Sequence, residues 1–157
     1  MDEASFRKDL LELLEGGSAH VAASKALERL PAGLRAARVN GSHSPWELLE
    51  HLRLAQEDIL RYTLDGAWTS PKWPEGYWPA PVESVGDEQW DGSVRRFLDD
   101  LRGLGDLVRD TTRDLTAAIP HGEGRTYLRE ILLAADHNAY HLGQLVELRK
   151  QLGAWKG

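Results

Sequence analysis

Residues 67 to 86 hold Pro71, Pro74, Pro79 and Pro81 together with Trp68, Trp73, Tyr77 and Trp78. Prolines lack the N–H that a helix needs, and the aromatic content is too high for a floppy linker. The stretch therefore divides the chain into two helical halves. A structureless connection this long commonly has a function of its own. It is also long enough to cross a helical bundle from end to end, so the helices it joins need not be antiparallel neighbours.

Before it, Phe6, Leu10, Leu13 and Leu14 recur at helical spacing up to Gly16-Gly17, and Ser18 can cap a second stretch carrying Val21, Leu27 and Leu30 before Pro31. Residues 3 to 30 thus read as a helix broken or kinked at the glycine pair. Ser44-Pro45-Trp46-Glu47 starts another helix, with Ser44 as N-cap, Pro45 in the first turn and Glu47 completing a capping box. It extends to about Gly66, with Leu48, Leu52, Ala55, Ile59 and Tyr62 as an apolar stripe.

Beyond the proline-rich stretch, Trp90, Val94, Phe97, Leu98, Leu101, Leu104 and Val108 mark a third helix over about 87 to 110, weakened by Gly92, Gly103 and Gly105. Thr126 opens the longest helix, which runs to about Leu152 and stops at Gly153. No strand-like alternation and no internal repeat accompany these segments. The expected fold is all-α, a four-helix bundle with a long crossover between helices two and three. A chain of 157 residues fits one core, so residues 1 to 157 are expected to form a single domain.

The formal charge of -6 works against a nucleic-acid partner, because Arg95, Arg96 and Arg102 are interleaved with Asp99, Asp100 and Asp106 instead of forming a basic face. No apolar run approaches the roughly 20 residues that span a bilayer, and Met1-Asp2-Glu3 is an acidic start, so no membrane is expected and the expected compartment is the cytoplasm. The absence of cysteine excludes a disulfide framework, a thiolate zinc site and a cysteine nucleophile. A metal in this chain must be held by nitrogen and oxygen.

His137 and His141 lie four residues apart and share one face of the last helix, so two imidazoles can reach one ion. Such a pair also arises by chance. His51 shifts the balance, since it stands among Leu48, Leu52, Leu54 and Ala55 on the second helix, where a histidine directed at the core needs a partner. Three histidines with an open position are the donor set of a reactive metal site. The run His137-Asn138-Ala139-Tyr140-His141 lacks the glutamate of the zincin proteases, and no histidine of helix two or four follows a glutamate at the di-iron spacing. A mononuclear site remains.

The segment Ala135 to Val146, with its His-Asn-Ala-Tyr-His-Leu-Gly-Gln run, together with His51 in Pro45-Trp46-Glu47-Leu48-Leu49-Glu50-His51, resembles the DinB-like superfamily of metal-binding four-helix bundles. Gly16-Gly17-Ser18-Ala19-His20 and the tryptophan-proline crossover add to the resemblance. It implies that helices two and three run parallel and that His51, His137 and His141 bind one divalent transition metal, zinc or nickel before iron or manganese. It further implies a thiol-dependent transferase or isomerase acting on a small-molecule substrate with a low-molecular-weight thiol such as bacillithiol or mycothiol. It also makes a homodimer plausible. The alternatives are a non-catalytic metal- or ligand-binding domain and a metal-assisted hydrolase.

Around the triad, Gln144 falls on the His141 face and either meets a metal-bound water or substrate or faces solvent or another helix. Tyr140 and Asp136 are rotated away and fit core packing or outer support. Glu47 and Asp58 are outer-support candidates near His51. By resemblance His20 can line the cavity mouth, against a capping or surface role, while His43 and His121 are expected in solvent. Trp68, Trp73 and Trp78 either wall or cover a pocket over the metal or close the bundle end.

Overall fold

The computed structural model describes residues 2–156, which form five α-helices: α1 (Glu3–Glu15), α2 (Ala23–Leu27), α3 (Pro45–Leu64), α4 (Asp87–Arg109) and α5 (Tyr127–Gln151). Single 3-10 turns at Ala32–Leu34 and Glu75–Tyr77 interrupt the connections. Among the described residues there is no strand, only an isolated antiparallel bridge between Ala118 and Thr126.

Side chains set the helix starts. The Asp2 carboxylate accepts from Ser5 N at 2.9 Å to open α1, and the Thr126 hydroxyl accepts from Arg129 N at 3.1 Å to open α5. Ser44 and Glu47 form the expected reciprocal capping box on α3, where Ser44 N donates to Glu47 Oε2 at 2.7 Å. The break at the glycine pair is real: α1 ends at Glu15, and Gly16 takes φ 72°, a left-handed conformation that glycine reaches without strain. One expectation is corrected here. Ser18 caps nothing, because residues 16 to 22 are not helical and α2 begins only after Ala22.

Helix α3 packs against α4 and α5, and α1 packs against the same two. Their facing side chains join in one apolar cluster that includes Leu49, Leu52, Phe97, Leu104, Ile131 and Leu145, all fully buried. Each such side chain contributes about 1.5–3 kcal/mol relative to exposure. Four long helices around one cluster are compatible with the expected bundle. Gly103 shows why a weak helix former belongs in α4: a Cβ there would lie 2.9 Å from Leu60 Cδ2, so the glycine lets α4 approach α3.

The start of α3 is enclosed on all sides. Every residue from Ser44 to Leu52 is buried, charged ones included. Each buried carboxylate has its partners: Glu47 binds Arg38 and the Ser44 N–H, and Glu50 binds Arg53 and Ser93. A histidine at position 51 is thereby delivered into the interior, facing α5.

Candidate metal centre

His51, from the second turn of α3, meets His137 and His141, one turn apart on α5. The Nε2 atom of His51 is 3.1 Å from that of His141 and 3.1 Å from that of His137. One donor atom from each ring lies within 4.8 Å of the other two. Two ligands at the usual 2.0–2.1 Å from a tetrahedral zinc would be about 3.3 Å apart, so these spacings fit one shared ion. His51 is 2% exposed and His141 is 9% exposed, so both rings are withdrawn from solvent.

The outer nitrogens explain the orientation of two rings. His51 Nδ1 donates to the backbone carbonyl of Tyr77 at 2.8 Å, which leaves its Nε2 as a lone pair directed inward. His141 Nδ1 donates to Gln144 Oε1 at 2.8 Å, with the same consequence. Two lone pairs 3.1 Å apart repel unless a cation lies between them, so this donor set fits a metal.

Burial favours neutral imidazoles, the form that ligates. Desolvation, followed by the charges of His141 and His51, pushes His137 down to about 4. Desolvation is also the main cause that lowers His51 and His141.

A cleft of about 280 Å³ opens onto the triad between Ala55, Ile59, Leu133, Trp73 and Tyr77. Asp58 also lines it, but both carboxylate oxygens are engaged: Oδ1 accepts from Trp68 Nε1 and Oδ2 from the Tyr77 hydroxyl, each at 2.7 Å. Burial and the Asp58 charge raise the Tyr77 hydroxyl to about 12, so it stays a donor. The crossover is thus tied down on α3 and presents the Tyr77 carbonyl to His51. Trp78 lies flat on the His51 ring, with centroids 3.8 Å apart and planes 3° from parallel.

Of the other sequence candidates, Gln144 reaches His141 from an exposed position, and Tyr140, 65% exposed, sets its ring edge-on to His141. His20 is exposed between α1 and α2, bonded to Val21 O, and does not line the cleft. Asp136 is exposed like Tyr140, which corrects the core-packing alternative for both, and Glu47 is used up in the capping box. His121 is exposed as expected, with Nε2 bonded to Tyr62 O at 2.6 Å. His43 is exposed too, yet it stacks at 4.0 Å on the face of Trp78 opposite His51.

Sequence reasoning missed His43 as part of this stack, and it missed Gln56 and Asn138, which are buried beneath the triad. Gln56 had left a signal. It stands four residues after Leu52 and three before Ile59, inside the apolar stripe.

Three largely buried imidazoles converging on one point, open to a small apolar cleft, define the class as a helical protein with a site that can hold a metal ion. The DinB superfamily matches residues 18–145, most of the chain, and the chain belongs to that superfamily. No curated protein and no solved structure matches it. Among the described residues no helix is long and apolar enough to cross a membrane.

Proposed function

We propose that the chain is a metal-dependent enzyme of the DinB type, a four-helix bundle in which His51, His137 and His141 bind one divalent transition metal, and that it conjugates a low-molecular-weight thiol to a small electrophile. The observation that carries this reading is the convergence of three Nε2 atoms at the floor of a cleft whose one carboxylate, Asp58, is already bound on both oxygens. A metal held there supplies the positive charge that lets a small thiol ionise at neutral pH. A thiol activated in this way needs no general base from the protein.

The protein's own groups have distinct parts in this reading. Ala55, Ile59 and Leu133 make the apolar wall against which the electrophile rests and from which water is displaced. Trp78 covers His51, and the Tyr77 carbonyl fixes its ring. Gln144 holds His141 from the open side. The chain has no cysteine, so the thiol comes from solution.

The test is metal analysis of protein purified without a histidine tag, followed by thiol consumption measured with and without chelator against a panel of electrophiles. Thiol consumption abolished by chelator and by His137→Ala is the expected result. A protein that retains its metal yet accelerates no conjugation is a binding domain and not this enzyme. Equal metal content in the parent and the triad variants would refute the site itself.

A further inference from the structure

Beneath the triad a line of buried amides crosses three helices. Gln56 of α3 is fully buried and directs Nε2 at the backbone carbonyl of Phe97 on α4, 2.6 Å away. Its Oε1 lies 2.6 Å from Nδ2 of Asn138 on α5, which is 4% exposed. A carbonyl oxygen only accepts, so the Gln56 atom facing Phe97 must be the nitrogen and the one facing Asn138 must be the oxygen. Asn138 must then present its own nitrogen to Gln56, which leaves Oδ1 as a spare acceptor. That oxygen is buried and has no partner. The adjacent residue holds a matching atom, Nδ1 of His137, also buried and without a partner. A buried donor and a buried acceptor are costly to leave apart.

We infer that Asn138 is a positioning residue: its Oδ1 accepts from His137 Nδ1–H, so that a relay from the Phe97 carbonyl through Gln56 and Asn138 fixes His137 with its Nε2 lone pair directed at His51 and His141. The inference rests on the triad being a metal site and adds what sets its third ligand. Each ring then has its own anchor: the Tyr77 carbonyl for His51, Gln144 for His141 and the amide relay for His137. Only the relay is fully buried. It ties the proton position on a ligand to the packing of α3, α4 and α5, because Gln56 and Phe97 are held by the core.

The experiment compares Asn138→Leu with Asn138→Asp in full-length protein. Zinc alone is the probe, measured by competition with a chromophoric chelator, and stability is measured in the chelator-treated form. Both variants lose the donor to Gln56, so both are expected to unfold more easily. Only the leucine loses the acceptor for His137. Its zinc affinity is expected to fall on the order of 10–100-fold, while the aspartate variant stays close to the parent or binds more tightly. Equal affinities in the two variants, or losses that track stability alone, overturn the relay. If the leucine variant does not fold, the zinc-loaded parent decides by nitrogen-detected NMR: a slowly exchanging His137 Nδ1–H proton is expected, and a rapidly exchanging one refutes the bond. A parent that takes up no zinc refutes the metal site, which is a different outcome from a parent that binds while both variants match it.

Discussion

His51 Nδ1 donates to the Tyr77 carbonyl across 2.8 Å, so a side chain of α3 is oriented by the backbone of the crossover and not by another helix. The crossover holds that position through Asp58, which binds the Tyr77 hydroxyl and the Trp68 indole. Twenty residues of proline-rich chain thereby become part of the site.

Asp58→Ala is therefore expected to weaken zinc binding about tenfold although Asp58 is not a ligand in this reading, since outer partners of ligating histidines carry effects of that size. Tyr77→Phe removes one of the two anchors and keeps the carbonyl. It is expected to lower stability by about 1.5 kcal/mol, the lower end for a hydrogen bond to a charged group because Tyr77 is half-buried, and to weaken zinc binding less than Asp58→Ala does. Urea unfolding and chelator competition measure the two effects. Unchanged zinc affinity in folded Asp58→Ala would show that the crossover does not orient His51.

Alanine in place of His51, His137 or His141 is expected to reduce metal content sharply, whereas His121→Ala is expected to leave it at the parent level, because His121 bonds to Tyr62 away from the triad. His43→Ala should fall between them. It removes one layer of the stack over His51 but no ligand, so occupancy persists and metal release accelerates. A full loss of metal in His43→Ala would make that residue a ligand and require a different site.

The long helices were legible because their ends carry side-chain signals: Ser44 with Glu47, Thr126, and the glycine pair. Ser18 misled for a reason that applies to any cap residue. Serine after a glycine pair fits a turn as well as an N-cap, and the chain uses it in the turn before Ala22. The triad was legible through its spacing on α5 and the apolar neighbours of His51. Helical spacing put Gln144 on the His141 face and Asp58 near His51, but the other outer partners were not legible. The Tyr77 contact is made by a backbone carbonyl, which any residue would supply, and only the path of the crossover places it there. Asn138 read as an ordinary polar position because its partner Gln56 lies 82 residues away, whereas Gln56 itself stood out only by its place in the apolar stripe.

Two glycines of α4 offer a paired test of packing. Alanine is better than glycine in a helix interior by about 1 kcal/mol. At the half-buried Gly92 a Cβ meets nothing closer than an arginine nitrogen at 3.9 Å, so Gly92→Ala is expected to stabilise by about that amount. At Gly103 the Cβ would press on Leu60 Cδ2 at 2.9 Å, and overpacking costs about 1–3 kcal/mol, which cancels or reverses the gain. Denaturant midpoints compare the two variants directly. Equal stabilisation at both sites would show that α3 and α4 are free to move apart.

The pH dependence of stability follows from the depressed histidines. His137 is pushed down to about 4 in the folded protein from the ordinary 6.5 of the unfolded chain, and His51 and His141 are displaced in the same direction. Between those values the unfolded state binds more protons, so stability rises with pH through the window and is lost as pH falls below 6.5. Asp100, raised by burial, works the other way just above the ordinary 3.8, whereas the lowered Glu50 adds to the acid loss below 4.5. A bound ion strengthens the effect of the histidines, since protons must displace it before the rings can charge, and it adds stability that grows with its free concentration relative to its dissociation constant. Chelator is accordingly expected to lower the parent's melting temperature more at pH about 7.5 than at pH about 5.5, where protons already compete for the imidazoles. The chelator-treated parent should still melt lower at the acid value, and His137→Ala, which lacks the most depressed group, should respond less to pH. An unchanged melting temperature at both pH values, with removal of the ion verified, would show that neither the metal nor the neutral state of the triad supports the fold.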